Sequence, residues 1–306
     1  MIAYKGFNKY IKGDNATDEV GRTFTEKYPK MWKRGFYASK NPLSTFKEFP
    51  PDTSWYHIVD VNNIIEEEGV DNMCAGEMTI GKELSLEDII IAQKRIDERN
   101  HHEKSHARMY PQYERGVLDA ENDNLSAILA KGENSKIIAG WNSWVETGND
   151  GVSVVTSGKA VSGVNGVSIA TSDLDSLSVS GQYGLAYSRD KAISGNQGIA
   201  VGDRSAKAEE NGIAIAGSYA DAGNCGFAYT HNSAKVGLNG IAIAINQETP
   251  DYKLEGGLGA ILIFVDRVRN ITGIARIDGV NYKPNTTYTM DANGNIIQSA
   301  SPMIRE

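Results

Sequence analysis

Few side chains in this 306-residue chain have the types and spacing for metal or nucleophile chemistry. His101, His102 and His106, with Glu103 among them, form the histidine cluster. His102 and His106 stand four apart and would share a helix face, as metal ligands can, but no His-Glu-x-x-His run accompanies them. The segment is dense in charge, and a solvated helix end or linker accounts for it. Glu66-Glu67-Glu68 is an acidic run that reads as a loop before it reads as a calcium site. Trp141 and Trp144 offer faces on which a sugar could stack; packing against a neighbouring domain is the simpler expectation. Cys74 and Cys225 lie far apart with no Cys-x-x-Cys, and two isolated thiols suit a reducing compartment. No Gly-x-Gly-x-x-Gly, P-loop or Gly-x-Ser-x-Gly occurs. These patterns call for no metal and no cofactor.

Composition narrows the partners. Charged residues make up 23% and apolar residues 40%, ordinary values for a folded chain. The net charge of −8 argues against nucleic acid or an anionic membrane as the main partner. The start, Met1-Ile2-Ala3-Tyr4-Lys5-Gly6-Phe7, lacks the basic-then-apolar layout of a signal peptide. The apolar runs at Ala260–Val265 and Ile241–Ile245 are too short to span a bilayer. The expectation is a cytoplasmic or virion-associated protein without a transmembrane segment.

The elements that must carry any site are legible as a repeat. Gly184, Gly198, Gly212, Gly226 and Gly240 recur every 14 residues, and Gly151 and Gly166 continue the series with small insertions. After each comes large apolar, small, large apolar: Leu185-Ala186-Tyr187, Ile199-Ala200-Val201, Ile213-Ala214-Ile215, Phe227-Ala228-Tyr229, Ile241-Ala242-Ile243. That period of two predicts a strand. A second strand follows in each unit, as in Ala206-Lys207-Ala208, Ala220-Asp221-Ala222 and Ala234-Lys235-Val236. Each unit is therefore one coil of a β-solenoid, flattened because 14 residues enclose little. The seven glycines are expected at corners that need positive φ. Looser half-units at 126–129, 135–138 and 143–145 place the start of the solenoid near Val117.

Gly-Ile-Ala-Ile/Val followed by Ala-x-Ala, as in Gly198–Ala208 and Gly212–Ala222, resembles the head repeat of trimeric autotransporter adhesins, the YadA-like β-rolls. The resemblance covers about residues 148–245. It implies a homo-oligomer, with three copies favoured and two as the alternative. If the large residues of the first strand point inward, the outward wall is Ala186, Ala200, Ala214, Ala228 and Ala242, which carries no charge. That wall is the expected subunit contact. In the reversed register, Val, Ile, Leu, Tyr and Phe form a larger apolar stripe instead.

The tail reads as a β-meander that caps the solenoid: Ala260–Val265, Ile274–Ile277, Thr286–Met290 and Ile296-Ile297, with turns at Asp278-Gly279 and Asn293-Gly294. At the other end, Asn41-Pro42 predicts a short helix through Phe46. Ser85-Leu86-Glu87-Asp88 is a capping-box pattern, with Leu84 and Ile89 as its hydrophobic staple. Ala3–Phe7, Phe36–Ala38, Tyr56–Val61 and Glu77–Ile80 read as strands. The expected architecture is mainly β: a small α+β domain (1–115), a β-solenoid (116–258) and a C-terminal β cap (259–306).

Two resemblances touch the N-terminal part. Tyr4-Lys5-Gly6-Phe7, Gly35-Phe36-Tyr37-Ala38-Ser39-Lys40-Asn41-Pro42-Leu43, Pro50-Pro51 and Gly81-Lys82-Glu83-Leu84 resemble an uncharacterised domain common in phage and prophage proteins. Tyr37 and Ser39 stand where that line has His and Cys. The same early strand and Gly-Phe-Tyr-x-Ser segment also resemble ADP-ribosyltransferases. That resemblance implies a nicotinamide pocket lined by Tyr4, Tyr37 and Ser39, with Glu77 or Glu83 stabilising an oxocarbenium-like ribose. The family's Ser-Thr-x-Glu and Glu-x-Glu signatures are missing. The favoured expectation is thus a non-enzymatic, oligomeric β-solenoid protein of phage or prophage type, with a structural or host-interaction role and a possible protein partner in the virion or host. The alternative is an NAD-using transferase with the solenoid as scaffold.

Overall fold

A computed structural model describes residues 1–8, 20–31, 33–51, 53–66, 71–100, 107–110, 117–120, 126–172, 176–246, 252–301 and 303. His101, His102, Glu103, His106, Glu67 and Glu68 lie outside the described residues. The chain is mostly strand, with a β-solenoid of about 8 turns between residues 127 and 244. It forms two compact units: residues 1–146 with 154–159, and residues 147–153 with 160–306.

The first unit opens with β1 (Ile2–Asn8), β2 (Thr23–Thr25), β3 (Phe36–Ser39), β4 (Ser54–Glu66) and β5 (Asn72–Glu83), then α1 (Leu86–Asn100). The strands run in the order β2-β5-β3-β1-β4, and β4 also pairs with β5, so the sheet closes on itself. The two long strands make this possible. β5 holds β4 along one edge and both β3 and β2 along the other. They extend well past the expected 56–61 and 77–80. Ala3, Ala38, Val59, Val61, Met73 and Ala75 fill one core, small enough for so tight a closure.

A second core joins Leu43, Phe46, Tyr56, Leu84, Leu86, Ile89, Ile90, Ala127 and Leu129. The capping box forms as expected. Asp88 N–H donates to Ser85 Oγ at 3.2 Å, and Ser85 N–H donates to Asp88 Oδ2 at 3.1 Å. The predicted helix after Asn41-Pro42 is a single 3-10 segment, Leu43–Lys47, entered by a hydrogen bond from Leu43 N–H to Asn41 Oδ1 at 3.0 Å. The same unit carries early solenoid pairings, with 107–110 parallel to 127–130 and 117–120 parallel to 136–139.

The second unit holds the regular coils. Each contributes one four-residue strand to each of two parallel sheets, in register with the next coil. Thus Ile199 pairs with Ile213, Ile213 with Phe227, and Phe227 with Ile241. The interior is alanine. Ala186, Ala200, Ala214, Ala228 and Ala242 form one buried column, and Ala192, Ala206, Ala220 and Ala234 the facing one. In the earlier coils serine takes these places and satisfies itself inside, as in Ser168 Oγ to the Val179 carbonyl at 2.6 Å and Ser178 Oγ to the Tyr187 carbonyl at 2.6 Å.

The corners correct the expected role of glycine. None of Gly151, Gly166, Gly184, Gly198, Gly212, Gly226 and Gly240 has positive φ. The left-handed residue is the one before each: Asp150, Asn165, Tyr183, Gln197, Asn211, Cys225 and Asn239, at φ between 52° and 58°. Glycine is needed for a different reason, close stacking. A Cβ on Gly198 would fall 2.9 Å from the Gly184 carbonyl oxygen of the preceding coil and 2.9 Å from Ser194 Cβ. Asn suits the left-handed position because its short amide side chain can hydrogen-bond the local backbone, which Gln and Cys do less well. Gln197→Asn and Cys225→Asn are each expected to stabilise by about 0.5 kcal/mol. Thermal melts that show both variants below the wild type would refute this assignment.

The cap is built on both sheets. Ile261–Asp266 and Ile271–Arg276 form an antiparallel pair at the end of one, while Thr287–Met290 and Ile296–Gln298 extend the other beyond Lys253–Gly256. The alanine columns end at Leu254, Leu262 and Phe264, which with Tyr252, Ile277 and Tyr288 make a bulky terminal core. Asp278 ties one cap loop by accepting from the N–H groups of Val280, Asn281 and Tyr282. Those bonds, Tyr282 foremost, hold its carboxyl down at about 2.

Candidate functional site

The residues assigned by resemblance divide into two groups in space. Tyr4, Tyr37 and Ser39 line one cleft, with Lys5, Ser44, Glu48, Phe49 and Asn72. β1 and β3 place them, because both strands turn these side chains toward the 3-10 segment. Inside the cleft Lys5 Nζ donates to the Tyr37 carbonyl at 2.8 Å, and Asn72 Nδ2 donates to Glu48 Oε1 at 2.9 Å. Gly6 is required there, since a Cβ would run into the Phe49 ring. The open volume is about 20 Å³, room for one water and far below a nucleotide. Glu77 and Glu83 are not in the cleft. Glu77 lies opposite Thr25 and accepts from Asn62 Nδ2 at 3.0 Å. Glu83 lies opposite His57 and lines a separate groove. The carboxylate that does border the cleft is Glu48, at the end of the 3-10 segment, where no sequence motif marks it.

That separate groove, of about 650 Å³, lies between the start of α1 and the early coil strands of the same unit. Trp144 sits in it. Its ring packs 6.3 Å from Tyr56, and the Lys159 ammonium lies 4.3 Å from the indole centroid. Trp144 thus takes the packing role expected of it, and Trp141 is exposed.

The wall expected to bind other copies is corrected by the structure. Ala186, Ala200, Ala214, Ala228 and Ala242 are fully buried inside the coil, so none can touch a partner. The reversed register holds, because the two sheets lie so close that the positions between them take small residues, chiefly alanine and serine with an occasional threonine or valine such as Thr230 and Val236. The bulky members of the same strands therefore point out. Two columns result: Val167, Leu185, Ile199, Ile213, Phe227, Ile241, Ile261, and beside it Ile169, Tyr187, Val201, Ile215, Tyr229, Ile243, Ile263. Leu185, Ile199, Ile213 and Ile241 are 37%, 40%, 36% and 36% exposed. Seven rungs at ~4.8 Å make a strip ~29 Å long with no charged side chain.

The opposite wall of the same coils is different. Lys207, Asp221, Lys235 and Glu255 stack in successive coils with alternating sign, and Lys235 Nζ stands 3.0 Å from Glu255 Oε1. Burial pushes the Asp221 carboxyl above its ordinary 3.8, against the pull of Lys235 and Lys207. A raised folded value means that the native state holds the proton more tightly than the unfolded chain. Stability from this group therefore falls as pH rises from 3.8 through the folded value. Asp221→Asn is expected to flatten that part of the pH–stability curve, as denaturant titrations at several pH values would show. An unchanged slope would rule it out.

Residues 1–92 match a family described as Domain of unknown function (DUF7666). The match covers the closed sheet and its cleft and none of the regular coils. No curated protein and no solved structure matches the chain. Among the described residues, no helix is long and apolar enough to cross a membrane, and no group of His, Cys, Asp and Glu is placed to hold a metal ion.

Proposed function

We propose that this chain is a non-enzymatic β-solenoid protein that works as a homo-oligomer, in a structural or host-interaction role of phage or prophage type. The observation that carries the reading is the apolar strip. In the coils from Ile199 to Ala244 one outer wall carries Lys207, Asp221 and Lys235, and the other carries no charge. A strip of roughly 400 Å², taking four residues as ~13 Å wide, is at the scale where exposed apolar surface marks an interaction site. A second copy meets it with the same chemistry. The repeat's resemblance to trimeric β-rolls favours three copies. Light scattering tests this: a mass near three times 33.2 kDa supports it, and a monomer at high concentration rejects it.

The transferase reading draws support from Tyr4, Tyr37 and Ser39 sharing one cleft. The cleft's small volume and the distant placement of Glu77 and Glu83 weigh against it. NAD is expected to leave the melting temperature unchanged; a rise that is lost in Tyr37→Ala would revive the enzyme.

A further inference from the structure

We infer that the solenoid opens locally and from one end: the serine-lined strands at 167–170, 176–180, 185–188 and 191–194 unfold and reclose together while the alanine-lined coils after Gly198 stay closed. The observation is a gradient in the residues held between the two sheets. The coil after Gly166 encloses Ser168, Ala170, Ser176, Ser178 and Ser180. The next encloses Ala186, Ser188, Ala192 and Ser194. The two after that enclose Ala200, Gly202, Ala206 and Ala208, then Ala214, Ala216, Ala220 and Ala222. Towards the cap the same columns hold Val236, then Leu254, and at the end Leu262 and Phe264. The apolar surface hidden in each coil thus rises along the stack. Each coil touches its neighbours only, so its resistance to opening follows its own content.

The hydroxyls do not make up the difference. Ser188 Oγ finds the Ser176 carbonyl at 2.9 Å, and Ser176 Oγ the Ser172 carbonyl at 2.8 Å. Ser180 and Ser194, 3% and 0% exposed, have hydroxyls with no hydrogen-bond partner. An enclosed hydroxyl left unmatched costs its hydration, and water restores it as soon as the coil opens. Ser180 stacks on Ser194, Ser194 on Ala208, and Ala208 on Ala222, so the column itself accepts a bare methyl group. The apolar strip runs over serine and alanine coils alike. Association through it would protect both, so this inference stands apart from the oligomer and can fail without it.

Hydrogen exchange of the full chain, read by mass spectrometry on fragments, tests it. Amides in the four serine-lined strands are expected to exchange at least about tenfold faster than those at 199–222. The Ser180→Ala, Ser194→Ala double variant should slow the serine-lined strands by about tenfold and leave 199–222 unchanged. The converse pair, Ala208→Ser with Ala222→Ser, should speed exchange at 199–222. Circular dichroism checks that both variants keep the wild-type fold. The inference is overturned if the two sets of strands exchange at one rate in the wild type, or if removing the two hydroxyls slows neither set or both equally.

Discussion

Ile213→Glu is expected to reduce the molar mass in solution to a single 33.2 kDa chain while the coil stays folded. Ile213 sits mid-column on the outer wall, between Ile199 and Phe227. In the assembly a carboxylate there would be buried against apolar side chains with no partner, at a cost of several kcal/mol per contact. In the isolated chain the same carboxylate faces water and costs little. Ala214→Arg, one residue away, should behave in the opposite manner. Ala214 is fully buried between the sheets, and a guanidinium there would unfold the coil rather than split the oligomer. Sedimentation and circular dichroism on the two variants separate the outcomes. An Ile213→Glu chain that keeps the wild-type mass would remove the strip from the interface.

Gly212→Val should cost about 3 kcal/mol or more, enough to melt the central coils of a marginally stable repeat. A Cβ at Gly212 would fall 2.8 Å from Ala208 Cβ and 3.0 Å from the Gly198 carbonyl oxygen. Those atoms belong to the interior and to the coil below, so neither can move without shifting the stack. Lys207→Ala removes one member of an outer charge ladder and should cost no more than a few tenths of a kcal/mol. Equal melting temperatures for the two variants would show that the glycine column is not a packing constraint.

The transition from solenoid to cap follows the same logic. Ala242 and Ala244 pair with Leu262 and Phe264, so the core widens only where no further coil has to fit. Large inward residues are tolerated at an end and forbidden in the middle.

Much of this was legible in the residues themselves. The 14-residue glycine spacing, the two short strands per coil, the Lys207-Asp221-Lys235 ladder, the Ser85–Asp88 cap and the terminal strands all come from local pattern, because turn chemistry and a period of two are properties of short segments. Which side of each strand faced inward was not determined that way. Ile-Ala-Ile alternates equally well in either register, and the usual rule that bulky residues go inside points the wrong way here. Only the spacing between the two sheets decided it. A coil of 14 residues brings the walls so close that Ala186, Ala200 and Ala214 fit between them and Ile199 and Ile213 do not. The positive-φ position was shifted by one for a related reason. Asn165, Asn211 and Asn239 marked it, but Tyr183, Gln197 and Cys225 hid the pattern, and glycine drew the assignment although its role was contact with the next coil. The head cleft follows the same division: β1 and β3 were readable as strands, while their pairing, with Tyr4 opposite Ser39, set Tyr4, Tyr37 and Ser39 together, and the positions of Glu77 and Glu83 on β5 left those two apart.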